Sequence, residues 1–418
     1  MKGFTSWCCL AVAFCLLSLP MFGATQFLYT LNADAAPNYT SSTISQWTVN
    51  ASTGNLTLGS TYAAGDNVNG AYGRLATITT GSNTCLYAGL LATGTFGDFN
   101  QVVSAFKVNL TTGALTAVSG SPFNTGFPLV SAFGGLIATM TDSNQGYHLY
   151  AVDGQPFYTN EGPGLHAVHF TVNSDCSLSS SGAYTFSTGF DTLNSGISGL
   201  AVDQNHKLVV SAVNGGTSGN VGQMLLLNES GGAITLNSVY DDTPYQPYAV
   251  VYNPNNNEYY TQEENGEVNY LTISSWTDSG SIGFGSRMTF YEGDQNLGTN
   301  DYLLADCGAQ GNGNLFAIYD PSALQLIKIN ISSGNELTQL NKLTFKETEA
   351  QRAGQLAVDA NDTWVFAPTG TDNDNNNWVS VVTIFAFTEN SSSPFLGKKA
   401  DWESAIAVPA RVCFSSNN

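Results

Sequence analysis

Basic residues are scarce in this chain, with 12 Lys and Arg against 32 Asp and Glu in 418 residues and a formal net charge of −20. Nucleic acids and anionic lipid surfaces are held through clusters of Lys and Arg, so a surface of this sign excludes both as partners. Histidine is rarer still, with four in the chain. None of the cysteine spacings is short enough for a zinc knuckle. Beyond the first two dozen residues no apolar run is long enough to span a bilayer, and no membrane span is expected once those residues are removed. What is plentiful is apolar and aromatic material: the hydrophobic fraction is 42%, with 23 Phe and 19 Tyr, enough to fill a core between stacked sheets.

The start of the chain has the pattern of an export signal. Lys2 supplies a positive charge, Leu10 to Leu19 an apolar stretch of signal length, Pro20 a break, and Gly23 and Ala24 small residues for cleavage. Residues 1–24 are therefore assigned to a signal peptide and 25–418 to one domain, placing the mature chain outside the cytosol, secreted or periplasmic. Such a compartment permits disulfides between the four remaining cysteines, Cys85, Cys176, Cys307 and Cys413. Three pairings are open. Cys85 and Cys413 fall near the two ends of the mature chain and can meet, a bond between Cys176 and Cys307 is not expected, and at most one bridge among otherwise buried thiols is anticipated.

Within the mature chain one pattern recurs. An alternating apolar segment runs into an Asn/Ser/Thr/Gly turn and out into another strand, at Ile44 to Thr57, at Val103 to Thr116, and more loosely from Leu165, Val221, Glu267, Leu324 and Val381. A repeat of roughly 45 to 60 residues containing only strand-like segments marks a radial β-repeat. The clearest copy runs Gly199 to Asp203, turn, Leu208 to Val213, loop, Met224 to Leu227, turn at Gly231 and Gly232, then Ile234 to Tyr240, which is four short strands joined by hairpins. Equivalent first strands begin near Leu75, Leu136, Leu200, Ala249, Leu303 and Leu356.

The two ends of the chain lack complete repeats of their own. Gln26 to Leu31 has the character of a second strand without a first, and Ala405 to Val408 that of a first strand without a second. Pairing them leaves no sheet edge open. The expectation is an all-β, seven-bladed β-propeller of four-stranded blades, its last blade completed by the N- and C-terminal strands, and a monomer.

Val103 to Phe123 and Gln246 to Pro254, the latter followed by Tyr259 to Glu264, resemble the blade signatures of lactonase-type propellers related to 6-phosphogluconolactonase and to YVTN-repeat surface proteins. The resemblance covers nearly the whole mature chain. It implies catalysis by His, Arg and Glu at one mouth of the central channel, where a Pro-Arg-His stretch leads into a first strand and a Glu follows the next. Here Pro247 keeps the proline and Glu264 takes the glutamate position, but Tyr248 stands for the Arg and Ala249 for the His. Ile197-Ser-Gly likewise replaces a second His-containing stretch. Losing His and Arg together removes both the base that would activate water and a donor for the oxyanion.

Two functions remain in view. The first is a binding module for a small polar or anionic ligand, a glycan or a protein, with Arg74, Gln246, Tyr248, Asp301 and Arg352 around the channel mouth as ligand-binding residues, since guanidinium forks match carboxylates and aromatic rings stack on sugars. The second is a hydrolase opening a sugar or carboxylic-acid lactone, using Glu264 with Arg74 or Arg352. No cofactor is required by either. His166 and His169 are three apart in a strand, hence on opposite faces, and do not clamp one metal; all four histidines are taken as ordinary strand or turn residues. Calcium is considered at Asp372 and Asp374, but Asn377 occupies the turn-glycine position and Thr383 that of the bidentate Glu, which favours a solvated loop.

Overall fold

In the computed structural model the described residues run from 25 to 415, apart from 33–41, 66–67, 82, 93–98, 130–135, 143, 145, 156–163, 187–194, 215–220, 243–244, 254–255, 266–269, 292–302, 307–313, 320–324, 332–336, 345–349, 354–356, 359–363, 374–376, 387–396 and 405–408. Every regular element among them is a strand. Val49-Asn50-Ala-Ser-Thr-Gly54-Asn-Leu56 shows why. The Asn50 side chain accepts from the amides of Ser52 and Thr53, the Asn50 amide donates to the Asn55 carbonyl, and Gly54 takes φ 72° to turn the chain back. Asn109 does the same for Thr111 and Thr112, with Gly113 at φ 70°. The recurring Asn-x-Ser/Thr-Thr-Gly is thus a turn whose chemistry closes a hairpin between two apolar runs.

The strands form seven antiparallel sheets among the described residues. The first holds β1 (Gln26–Asn32), β2 (Thr43–Val49) and β3 (Leu56–Ala63). The second holds β4 (Val68–Thr80), β5 (Asn83–Ala92), β6 (Phe99–Val108), β7 (Leu115–Ala117) and β8 (Phe123–Leu129). The third is β9 (Leu136–Thr141), β10 (Tyr147–Gln155), β11 (Gly164–Val172) and β12 (Leu178–Phe186), and the fourth β13 (Ser195–Val202), β14 (Lys207–Asn214), β15 (Val221–Ser230) and β16 (Ala233–Asp242). The fifth is β17 (Tyr245–Asn253), β18 (Glu258–Asn265), β19 (Tyr270–Asp278) and β20 (Ile282–Tyr291), and the sixth β21 (Leu303–Asp306), β22 (Asn314–Tyr319), β23 (Gln325–Ile331) and β24 (Leu337–Thr344). The seventh holds β25 (Ala350–Ala353), β26 (Ala357–Val358), β27 (Trp364–Asn373), β28 (Asn377–Ala386) and β29 (Gly397–Ser404).

The last strand, β30 (Pro409–Ser415), joins the first sheet rather than the seventh, pairing antiparallel with β1 so that Leu28 faces Phe414 and Tyr29 faces Cys413. The expected pairing of the two chain ends is present with a corrected register. The C-terminal partner is Pro409–Ser415, whereas Ala405 to Val408 lies outside the described residues. Proline is admissible at the first position of a strand, where its missing N–H breaks no ladder bond.

The first strands touch in series: β4 lies against β9, β9 against β13, β13 against β17, β17 against β21, β21 against β26, and both β26 and β4 against β30. Hydrophobic clusters fill the seams between consecutive sheets. Phe27, Tyr29 and Ile44 pack with Leu75, Leu86 and Phe106; Cys85, Tyr87 and Val103 with Leu149, Val168 and Phe170; Tyr150 and Val152 with Leu200, Leu208 and Leu225. The middle strands are therefore apolar on both faces, as in β1, where all seven residues are buried, while fourth strands such as β12 alternate between partly buried and exposed.

One residue position knits the seams that follow the first three sheets. Tyr29, Tyr87 and Tyr150 occupy the same place on the second strand of the first three sheets. The Tyr29 hydroxyl donates to the Gly113 carbonyl at 2.8 Å and that of Tyr87 to the Cys176 carbonyl at 3.0 Å, both in the third-to-fourth-strand hairpin of the following sheet. Two residues earlier stand Phe27, Cys85 and His148. Phe27 packs so closely on Gly113 that a Cβ there would overlap its ring. Cys85 forms a disulfide with Cys176, 91 residues on. The pairing of Cys85 with Cys413, which the sequence left open, is not adopted, because Cys85 opens a second strand and the next sheet's hairpin is what faces it.

Candidate functional site

Three of the four histidines converge where the third and fourth sheets meet. His148 and His169 project from β10 and β11 on the face that carries Tyr150, toward the fourth sheet. His166, as expected from its spacing, is not among them and bonds Thr185 Oγ1 at 3.0 Å. His206 comes from the β13–β14 turn, where it adopts φ 61°, a conformation uncommon outside glycine, held by the Asp203 carboxylate accepting from the Asn205 and Lys207 amides at 2.8 and 2.9 Å. Asp142 occupies the β9–β10 turn. Its Oδ1 accepts from the Asn144 and Gly146 amides at 2.8 and 2.6 Å, which turns Oδ2 toward His148 Nε2 at 3.3 Å and His206 Nε2 at 3.4 Å.

The far side of each imidazole is also engaged. His148 Nδ1 lies 2.8 Å from His169 Nε2, and His206 Nδ1 lies 2.7 Å from Glu229 Oε2 and 2.9 Å from the Tyr150 hydroxyl. Glu229 is itself fixed by the Gly232 amide, which donates to Oε1 at 2.6 Å. Burial, aided by His148 and His206 and opposed by Glu229, lowers the pKa of His169 to about 4, so this ring is neutral. Burial tends to raise Asp142, but the donors from Gly146, His148 and Asn144 outweigh it and hold its carboxyl below the ordinary value. Burial and then Glu229 raise Tyr150, so its hydroxyl keeps its proton. Asp142, His148 and His206 form the cluster of potential metal-ligating atoms among the described residues.

A second charged cluster joins the fourth and fifth sheets. Arg287 on β20 donates from Nη2 to both Asp242 oxygens at 2.8 and 2.6 Å and to Glu263 Oε2 at 3.0 Å, and its guanidinium lies 3.6 Å above the Tyr245 ring centroid. Glu263 is fully buried and also receives Thr261 and Ser274 hydroxyls. Burial first, and the Asp242 charge second, raise its pKa to about 7 against the pull of Arg287; Asp242 is raised too, chiefly by burial. One cation facing two buried carboxyls leaves a proton between them near neutrality.

The sequence-nominated residues fare unequally. Arg74 is 7% exposed on β4 and its guanidinium donates to the Leu200 and Ser198 carbonyls at 3.4 and 3.3 Å, reaching the first strand of the sheet after next. Ser198 in turn donates to the Pro247 carbonyl, so three of the first strands are tied at this end. Gln246 and Glu264 face each other across β17 and β18, and Tyr248 sits at a register shift between Pro247 and Ala249. Arg352 pairs with Gly370 and Asp372 with Trp378 in the seventh sheet. The side chains of Gln246, Tyr248, Glu264, Arg352 and Asp372 are outside the described set, as are Asp301 and Asp374 altogether. Neither the histidine seam nor the Arg287 cluster was marked by a sequence motif; the residues of each come from separate turns and strands.

Antiparallel sheets of mostly four strands, stacked face to face around a series of touching first strands, define a β-propeller. A solved structure of a protein from Lactobacillus plantarum, a β-propeller, superposes with a TM-score of 0.62 at 14% identity, over 94% of this chain and 100% of its own. A puromycin hydrolase aligns with a TM-score of 0.46 and 11% identity over 85% of this chain and 50% of its own, too slight a likeness to bear on function. No family model and no curated protein matches the chain. At this identity the likeness concerns fold, and activity rests on the residues.

Proposed function

We propose that the chain is an exported, seven-bladed β-propeller, closed through β1 and β30, that works as a binding module for a small polar or anionic ligand and does not hydrolyse lactones. Gln246, Tyr248, Asp301 and Arg352 are the residues assigned to the ligand, together with Arg74. The observation that supports this reading is the fate of Arg74. Its guanidinium is buried and bonded to two main-chain carbonyls, so it braces the inner strands and lends positive charge to the axis, instead of standing free to meet an oxyanion as hydrolysis requires. The sequence adds that tyrosine and alanine replace the arginine and histidine of the lactonase stretch, at Tyr248 and Ala249. Export is supported by the Cys85–Cys176 bond, a feature of oxidising compartments.

Calorimetric titration with a panel of sugar acids and dicarboxylates, beside a turnover assay on the corresponding lactones, tests it. The expected result is saturable binding that weakens in Arg352→Met, without turnover. Lactone hydrolysis lost in Glu264→Gln would overturn it.

A further inference from the structure

We propose that Asp142, His148 and His206 bind a zinc-class divalent cation across the seam between the third and fourth sheets. The site is distinct from the end of the inner strands discussed above and does not depend on that reading. Its geometry is the first argument. A tetrahedral ion with bonds of about 2.0–2.1 Å sets its ligand atoms about 3.3–3.4 Å apart. Asp142 Oδ2 stands 3.3 Å from His148 Nε2 and 3.4 Å from His206 Nε2.

The outer ring of partners is the second argument. A metal-binding imidazole offers one nitrogen to the ion and donates its other N–H to an acceptor, which fixes the tautomer. Here His206 Nδ1 has Glu229 at 2.7 Å and His148 Nδ1 has His169 at 2.8 Å, leaving both Nε2 atoms for the ion. The carboxylate is oriented in the same way, since its Oδ1 is held by two turn amides.

Space is the third argument. A Cβ at Gly146 would fall 2.7 Å from Asp142 Oδ2 and 2.8 Å from His148 Nε2, so a side chain there would crowd the ligand atoms. All three ligands remain partly exposed, at 13%, 12% and 22% for His148, Asp142 and His206, which gives an ion entry and leaves a fourth position for water or a ligand atom from outside. Two imidazoles and one carboxylate suit zinc, cobalt or nickel rather than calcium or magnesium, whose coordination is built from oxygen. The ion would clamp the two sheets as the Cys85–Cys176 bond clamps the pair before them.

The test uses the metal alone on the full chain, freed of metal with a chelator. Zinc is expected to bind with one-to-one stoichiometry and to raise the melting temperature by several degrees at saturation. Cobalt(II) is expected to give the intense visible bands of a tetrahedral nitrogen and oxygen site. His206→Asn, which tolerates the turn conformation, is expected to abolish both signals at temperatures where circular dichroism shows the variant folded. Glu229→Gln is expected to weaken zinc roughly 10–100-fold, as loss of an orienting partner does. The proposal is overturned by no melting shift with zinc, by a cobalt spectrum with thiolate charge-transfer bands, which would place the ion on a cysteine, or by undiminished binding in the His148→Gln/His206→Asn variant.

Discussion

Cys85 and His148 stand at the same place in consecutive sheets, each two residues before a tyrosine whose hydroxyl reaches the following sheet. Phe27 holds that place in the sheet before them. The three seams are thus closed by an aromatic ring on a glycine, by a disulfide, and by a cluster of imidazoles and carboxylates. The architecture fixes the meeting point, and the local residues choose the chemistry used there.

Cys85 and Cys176 close a long loop, so the bond restricts the unfolded chain strongly. Cys85→Ser is expected to lower stability by about 2–5 kcal/mol in urea unfolding. Reducing agent should lower the midpoint of the parent protein and leave that of the variant unchanged; equal responses would contradict the assignment.

Glu263 makes stability depend on pH. Its carboxyl ionises near 4.5 in the unfolded chain and about 7 in the fold. Between those values the folded state holds more protons than the unfolded one, so stability falls as pH rises from about 4.5 to 7 and levels off above, with a slope of up to about 1.4 kcal/mol per pH unit. Asp242, Arg287 and Tyr245 face the same cluster, and Asp242 shifts in the same direction. Glu263→Gln is expected to flatten the profile measured between pH 5 and 7.5. A variant that kept the parental slope would assign the effect elsewhere.

Asn32 is the counterpart of Glu263 in the first sheet. Thr30, Asn32, Ser45 and Trp47 repeat the arrangement of Thr261, Glu263, Ser274 and Trp276: each indole donates to the threonine hydroxyl, at 3.1 and 2.7 Å, and each serine bonds the Asn or Glu side chain, at 2.8 and 2.6 Å. Asn32 is fully buried, so Asn32→Asp places a carboxylate in a desolvated site. It is expected to cost about 3 kcal/mol or more at pH 8 and less at pH 5. Equal stability of parent and variant at pH 8 would rule this out.

Gly113 and Gly81 separate two causes of strain. Both have positive φ, 70° and 57°, but only at Gly113 would a Cβ overlap the Phe27 ring; around Gly81 the space is open. Gly81→Ala is expected to cost about 1–2 kcal/mol, the backbone penalty alone. Gly113→Ala should cost distinctly more in the same denaturation experiment.

Strands and hairpins were legible because their signals are local. The Asn50 and Asn109 turns contain within eight residues everything that makes them fold, and all seven recurring segments fall on or beside the third strands β2, β6, β11, β15, β19, β23 and β28. The partner of β1 starts at Pro409, just past the apolar run Ala405 to Val408 that the sequence offered, at a first position that tolerates proline. The seams were not legible. Asp142, His148, His169, His206 and Glu229 are brought together by packing of one sheet on the next, and no spacing in the sequence records that; the parallel between Cys85-Leu-Tyr87 and His148-Leu-Tyr150 was the one available hint.

Closure of the array through β1 and β30 is tested most directly by hydrogen exchange at Gln26–Asn32, followed by mass spectrometry in the full chain and in a chain ending at residue 408. Closure predicts slow exchange of this segment in the full chain and fast exchange after truncation, because β1 loses the strand that pairs residues 27 to 32. Identical slow exchange in both proteins would show that β30 does not close the array.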